Sequence, residues 1–434
     1  MEPCSVNILS SGHVYNRSSL PPFRPKVSLL PHIPEEIVLE ILTHLPIRSL
    51  LRFKCVCKHW QHRISNSKFS FSMQRHRSMI MCKGMYRLPF NLYVIDNEKE
   101  AFLREVPRPR QNKNKEMSLD WFQILGSCNG LLLVSYSRKL YLWNPLTRQC
   151  TKLLISLSWW DSYSGCTGFC YDSTTDEYKV VMGLGSVAMV ASIRSKSWVT
   201  IPYPYKEKII YSGPVVNERL YWRVDYIDNN GMSTEDHDKS KIHQIVYFDP
   251  VTDKFVEVPA PRPTIEEWNV VMGLGVVDGS LCVVRNCENR YAEVFIVKES
   301  WTRMFIINNL TGLCGAFKYE LVPLCFTKNG EVVVAVNGKT IFVYNTIEKS
   351  QREIHSADNY GEINVISYME SLVSTSEYGH EEDRIEEGPK GATMNLLYRR
   401  TNTLIESQST PTTTTTTTGM RKIPWTFGRV RFLG

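Results

Sequence analysis

The sequence predicts an α+β chain of two unlike parts: a compact module of three short helices near the N-terminus, then an all-β propeller of about six blades. Three observations carry this. Residues 33–60, IPEEIVLEILTHLPIRSLLRFKCVCKHW, repeat their apolar side chains at helical spacing. Past residue 78 the pattern turns to alternation, in short runs rich in Val, Ile, Tyr, Phe and Trp separated by Asn-Gly, Asp-Gly and Asn-Pro turns. Those runs group into units of roughly 40–50 residues, the period of a propeller whose blades are single antiparallel sheets.

Residues 1–28 contain Ser and Pro, carry almost no acid, and read as a flexible leader rather than a transit peptide. No apolar stretch of signal-peptide type follows. The helical module is expected over residues 29–76. At about 100° per residue, Ile37, Ile41, Leu45, Val38, Leu42 and Leu39 sweep an arc of roughly 200°. Glu36, Glu40, Thr43 and His44 fill the other side. A helix that covers only its own small core needs a stripe of about 100° or a little more. The excess width predicts two contacts, one with the module's own helices and one with a partner. Pro34 suits the first helical position, and Glu35 and Glu36 suit the positive helix start. Pro46 stops the helix, because proline disfavours helical geometry in the residue before it. A second helix is expected through Leu50, Leu51, Phe53 and Val56, and a third around Trp60.

This segment resembles an F-box, the motif that docks onto the Skp adaptor of cullin–RING ubiquitin ligases. The residues that match are the Ile33-Pro34 opening, the Leu45-Pro46 break, the Leu50-Leu51-Arg52-Phe53 run and the closing Val56 and Trp60. Ile33 stands where leucine is usual, with bulk and apolarity kept. Cys57 stands where plant members often carry serine. The resemblance, with the over-wide arc, implies adaptor contact by Ile33, Pro34, Ile37, Ile41, Leu45, Leu50, Val56 and Trp60.

The propeller is expected over residues 79–373. Its units read LYVIDNEKEAFLREV, NGLLLVSYSRKLYLWNPLTRQCTKL, GFCYDSTTDEYKVV with SIRSKSWVTIP, NERLYW with IVYFDPVTDKFVEVP, DGSLCVVRNCENRYAEVFIVKESWTRMF, and NGEVVVAVNGKTIFVYNTIEKSQREI. WNPLT at Trp143–Thr147 echoes FDPVT at Phe248–Thr252, and VVMGLG occurs at both Val180 and Val270. The strand-like INVISYMESLV, Ile363–Val373, is predicted to complete the first blade and close the ring. From about Leu125 to Val373 the units resemble the F-box-associated domain of plant F-box proteins, a relative of kelch propellers. The motifs GSCNGLLL, WNPLTR, GFCYDSTTDEYKVV and NGEVVVA carry that resemblance by their order. The diglycine and paired aromatic marks of true kelch repeats are missing. Residues 374–434, with acidic HEEDRIEE and the run TPTTTTTTTG, read as a disordered low-complexity tail.

Catalytic and cofactor chemistry finds little to stand on. The 12 cysteines form no metal or disulfide spacing and read as free thiols of a reducing compartment. Gly183-Leu184-Gly185 and Gly273-Leu274-Gly275 lack the third glycine and following helix of a dinucleotide site, and read as tight strand packing. No nucleophile elbow or His-Glu-x-x-His pair stands out. The net charge of +7 is modest, and the cluster Arg104, Arg108, Arg110, Lys113 and Lys115 reads as a solvated loop rather than a nucleic-acid site. Val180–Ile193 is too short and glycine-broken to span a bilayer. No cofactor, metal, nucleic acid or membrane partner is therefore expected. Trp159, Trp160 and Tyr163 are candidate anchors for a target protein, set against packing between blades.

The resemblance implies a non-catalytic receptor subunit of a Skp–cullin–F-box (SCF) ligase, cytoplasmic and/or nuclear. Its partners would be the Skp-type adaptor, through it the cullin and RING subunits, and an unknown target on the propeller. Proximity is then its contribution to ubiquitination. The alternative is a propeller enzyme or carbohydrate-binding protein with a helical appendage, which needs convergent polar or metal-binding side chains at the channel mouth. An F-box protein that joins the adaptor without promoting degradation is a further alternative.

Overall fold

The computed structural model describes residues 34–65, 69 and, between 75 and 378, all but 84–90, 97–101, 113–114, 118–121, 138, 157–166, 185–186, 206–207, 227–243, 260, 262–269, 278, 288–289, 299, 310–319, 328 and 358–361. The leader, Ile33, Trp159, Trp160, Tyr163, Gly185 and residues 379–434 lie outside the described residues. The chain divides into two units, Met1–Leu45 and Pro46–Gly434.

The first unit contributes α1, Glu35–Thr43. Pro34 is its cap rather than its first helical residue, because its ψ of 145° is extended. The Pro34 carbonyl accepts the Ile37 and Val38 N–H groups at 3.1 and 3.2 Å. Glu35 and Glu36 occupy the first turn, where the helix dipole favours acid. At the other end the Thr43 hydroxyl donates to the Glu40 carbonyl at 2.7 Å. The helix is finished before Leu45, as a following proline requires.

The second unit opens with α2, Ile47–Phe53, and α3, Lys58–Ser65. Ile47, Leu50 and Ile64 are the buried aliphatics of these two helices. Phe53 meets Trp60 edge-on, ring centroids 5.3 Å apart. Lys54–Val56 form a turn, so Val56 lies past the second helix and not within it.

The remainder is a propeller of six four-stranded antiparallel sheets, each strand paired with the next. Blade 1 pairs the last strand of the ring, Glu362–Glu370, with Arg75–Lys83, then Asn91–Asp96 and Phe102–Glu105. That late strand closes the ring as the sequence predicts, over nine consecutive partners from Arg75↔Glu370 to Lys83↔Glu362. Blade 2 is Phe122–Cys128, Leu131–Tyr136, Lys139–Asn144 and Gln149–Ser156. Blade 3 is Thr167–Asp172, Glu177–Leu184, Val187–Ser192 and Ser197–Pro202. Blade 4 is Lys208–Val216, Arg219–Tyr226, Gln244–Asp249 and Lys254–Val258. Blade 5 is Val270–Val277, Ser280–Cys287, Tyr291–Val297 and Trp301–Asn308, and blade 6 is Leu321–Phe326, Val332–Val336, Thr340–Tyr344 and Gln351–Ser356. Arg110–Asn112 and Lys115–Glu116 form a small ribbon between blades 1 and 2.

Each of the six apolar clusters lies between two neighbouring blades. Blades 1 and 2 share Val94, Leu132 and Trp143; blades 2 and 3 share Leu133, Leu142 and Phe169. Blades 3 and 4 share Val190 and Trp222; blades 4 and 5 share Ile245 and Val283. Blades 5 and 6 share Val294 and Val334, and Val333 with Ile95 joins blade 6 to blade 1. A strand sandwiched this way is buried on both faces, so it reads as a continuous apolar run. This explains LLLV and VVVAV. It also corrects the reading of the VVMGLG pair as a repeat mark. Val180 sits on the second strand of blade 3 and Val270 on the first strand of blade 5, so the copies are not equivalent. Tight packing does hold at the second copy. A Cβ on Gly273 or Gly275 would stand 2.3 or 2.2 Å from the carbonyls of Leu321 and Pro323 in the next blade.

WNPLT and FDPVT do occupy equivalent places, the hairpin between the third and fourth strands. Asn144 Oδ1 accepts the Leu146 and Thr147 N–H groups at 2.9 and 3.2 Å, and Asp249 Oδ1 accepts Val251 N–H at 2.9 Å. Asn345 repeats the device in blade 6 with Ile347 and Glu348, both at 3.0 Å. Each hairpin ends on a left-handed residue, Arg148, Asp253 and Lys349, with φ of 61°, 52° and 56°. A short polar side chain that satisfies the turn's own N–H groups is what such a loop needs. Because strands alternate in direction, these hairpins, the first-to-second-strand turns and the start of Arg75–Lys83 all share one end of the ring. We call it the hairpin end.

Buried cations lace neighbouring blades. Lys179 of blade 3 donates to the Pro250 carbonyl and pairs with Asp253 of blade 4 at 2.9 Å and with Asp172 at 3.4 Å. Arg223 of blade 4 donates to the Met272 carbonyl of blade 5. Within blade 5, buried Arg285 reaches Glu293 at 3.8 Å and the Pro261 carbonyl of the connection from blade 4 at 2.7 Å.

The ordered ring exceeds the expected 79–373 at both ends. Its first strand begins at Arg75, and residues 374–378, expected in the tail, pack on the ring and end in the short helix Ser376–Tyr378. Neither segment alternates, because the first opens on RHR and the second is not a strand.

Candidate docking residues on the N-terminal helices

Eight large apolar side chains are exposed among the described residues, and three of them, Ile37, Ile41 and Val56, fall in the short helical region. On α1, Ile37 and Ile41 are one turn apart and each 50% exposed, while Leu42 is buried. The wide apolar arc therefore splits into a covered part and an uncovered part. Leu45 is half-buried and Pro34 exposed. Exposed Glu36 and Glu40 border the pair.

In the second unit Val56 is 62% exposed at the tip of the turn between α2 and α3. Cys55 and Cys57 flank it, both free and exposed. The Cys57 sulfur accepts the Trp60 N–H at 3.5 Å, so it serves as an acceptor at the start of α3. Trp60 is half-buried against Phe53. Leu50, expected at the adaptor contact, is fully buried in this chain by itself. Spacing alone could not separate it from its surface neighbours, because a seven-residue helix has few positions from which to judge a face.

Sequence reasoning missed Lys54. It is the C-cap of α2, and its ammonium donates to the Leu372 carbonyl at 3.3 Å. Burial lowers its pKa from the usual lysine range. A lysine beside a helix end reads as solvated, and nothing local marks a partner more than 300 residues away.

Burial makes five of the described propeller thiols poor nucleophiles. Burial pushes Cys150 up to about 12 and Cys287 up to about 11, and raises Cys128, Cys170 and Cys282 as well. The thiolate is the reactive form. Among the described residues no three His, Cys, Asp or Glu side chains converge as a metal site. No described helix is long and apolar enough to cross a membrane.

Residues 30–72 match the F-box domain, and residues 76–375 match the F-box associated beta propeller domain. The chain is a plant F-box protein. It is 29% identical over 306 residues to an F-box/kelch-repeat protein of Arabidopsis thaliana, spanning 65% of this chain and 81% of that one. It is 25% identical over 421 residues to the F-box protein CPR1 of Arabidopsis thaliana, spanning 87% and 94%. A further putative F-box protein of Arabidopsis thaliana is 30% identical over 343 residues, spanning 70% and 85%. The propeller match begins well before Leu125, because the first blade belongs to the same domain although it lacks the ordered motifs. An F-box followed by this propeller is, in general terms, the build of an SCF substrate receptor. Receptors of this kind are generally non-catalytic, and the F-box implies a Skp-type adaptor as partner.

Proposed function

We propose that this F-box protein is the substrate-recognition subunit of an SCF ubiquitin ligase, acting in the cytoplasm or nucleus. Ile37 and Ile41 on α1, with Ile33, Pro34 and Leu45, and Val56 and Trp60 in the second unit, contact the Skp-type adaptor. Cullin and RING subunits join through it, and the propeller holds the target protein. Trp159, Trp160 and Tyr163 remain its proposed anchors. Leu50, although buried in the chain by itself, stays among the proposed adaptor-facing residues. The observation that carries this reading is the exposure of Ile37 and Ile41 within a segment of F-box sequence. Half-exposed aliphatics on so small a module cost solubility unless a partner covers them.

The test is Ile37→Ala with Ile41→Ala. Full burial of such a side chain is worth about 1.5–3 kcal/mol, so the uncovered half of each is worth about 0.75–1.5 kcal/mol. Together they amount to roughly 10- to 150-fold in affinity. The variant is expected to keep its thermal midpoint and to lose co-purification with adaptor and cullin. A folded variant that binds the adaptor like the parent chain would remove this surface from the reading.

A further inference from the structure

The ring closes on Glu362–Glu370, yet the chain does not leave it there. Residues 371–378 continue across the hairpin end of blade 2 to the flank of blade 3. Ser371, Leu372 and Thr375 are almost fully buried, and Val373 and Tyr378 join the apolar cluster between blades 2 and 3.

Asn144 is the main fastener. It is completely buried, and its amide NH2 donates to the carbonyls of Ser371 at 3.1 Å and Val373 at 2.8 Å. Its Oδ1 is already occupied by the hairpin N–H groups of Leu146 and Thr147. Both donors and both acceptor positions of one side chain are thus used. Blade 4 shows what this requires. Asp249 there makes the same turn with a carboxylate oxygen. Aspartate at 144 would keep the turn but would point a charged oxygen at two carbonyls.

The other fasteners run in sequence. Ser371 Oγ donates to the Asn129 carbonyl at 2.7 Å, and a Cβ on Gly130 would overlap that hydroxyl at 2.0 Å. Gln149 Oε1 accepts the Ser374 hydroxyl at 3.0 Å and Thr375 N–H at 3.3 Å, and the Thr151 hydroxyl donates to Thr375 Oγ1 at 2.7 Å. Tyr378 sets its ring perpendicular to Tyr178, centroids 5.2 Å apart, with the Arg194 guanidinium 5.6 Å above it. The Leu372 carbonyl accepts the Lys54 ammonium from the end of α2 at 3.3 Å.

We propose that residues 371–378 form a strap that couples closure of the propeller to α2. Seated by Asn144 and Tyr378, the strap holds the Leu372 carbonyl where Lys54 meets it. Lifted, it frees the closing strand at one end and strips α2 of that tie. The inference concerns the second unit alone and stands whether or not the helices dock an adaptor.

The experiment is hydrogen–deuterium exchange on the full-length chain, read by mass spectrometry. Asn144→Asp is expected to leave hairpin 144–149 protected. Exchange is expected to rise about tenfold over 371–378 and about threefold over 46–57, as local openings become cheaper. Lys54→Met is expected to raise exchange over 46–57 only. Faster exchange over 371–378 with 46–57 unchanged would show a strap without coupling and overturn the inference. Unchanged exchange in both regions would overturn it too. If Asn144→Asp does not fold, Gln149→Ala with Thr151→Val removes the Ser374 and Thr375 contacts while leaving the turn intact, and the same two regions are compared.

Discussion

The helices and the propeller handle apolar surface in opposite ways. In the propeller the inner strands are pressed between neighbouring blades, and the outer fourth strands, such as Ser197–Pro202 and Gln351–Ser356, are largely exposed but carry only scattered large aliphatics among the described residues. In the helices Leu42, Leu50 and Ile64 are covered, while Ile37, Ile41 and Val56 are not. The difference teaches that one part buries most of its apolar surface within itself, while the other leaves part of its apolar arc uncovered, where the proposed function places a partner. Stability experiments should therefore respond to the propeller, and association experiments to the helices.

The largest expected effect is in the ring. Trp222→Ala removes a fully buried ring between blades 3 and 4 and should cost about 3–5 kcal/mol. Ile37→Ala should change stability by no more than about 0.5 kcal/mol. Denaturant melts of the two variants make the comparison, and similar losses would break it.

The next effect is a pH dependence centred on Lys179. Burial by itself would raise the Asp172 carboxyl, but hydrogen bonds from Thr174 and Thr175 and the charge of Lys179 hold it below the usual carboxylate range. Burial would likewise lower Lys179, but the hydrogen bonds and charges of Asp253 and Asp172 raise it. A depressed carboxyl contributes stability above its unfolded pKa, near 3.9, that is lost as pH falls through the folded value. A raised lysine contributes stability below its unfolded pKa, near 10.4, that is lost as pH rises through the folded value. The thermal midpoint should therefore be flat between and fall on both sides. Lys179→Met should lower the plateau and remove the alkaline limb's contribution from this lysine, while the acid limb weakens only in part, because Thr174 and Thr175 still hydrogen-bond Asp172. Unaltered limbs would show that the pair does not matter to the ring.

The smallest effect is chemical. Alkylation of the folded chain, mapped by mass spectrometry, should label Cys55 and Cys57 within minutes and spare Cys128, Cys170 and Cys282 until denaturant is added. Equal labelling of both groups would erase the contrast between the two parts.

Much of this was legible in the sequence. The switch from helical spacing to alternation separated the parts, and WNPLT and FDPVT marked hairpins because an Asx side chain acts on its own turn. The closing strand was legible as an orphan unit of the right length. What stayed hidden depends on contacts across the chain. Leu50 and Ile37 look alike in spacing, and only packing assigns one to the core and one to the surface. Asn144 reads as a turn residue from its neighbours, while its second role belongs to carbonyls of residues 371 and 373. Residues 374–378 read as tail because an irregular segment held by side chains has no period.

The two ends of the ring are unequal. One carries the short hairpins whose Asn and Asp side chains fix them. The longer connections, 157–166, 227–243, 259–269 and 309–320, all join strands at the opposite end. Lengthening a surface connection costs little free energy, since closure entropy grows only logarithmically with length. Lineages that inherit this ring can therefore rewrite one rim by insertion, deletion and substitution while the other rim keeps the seams in register. Duplicated copies can diverge in what they recognise long before they diverge in how they fold.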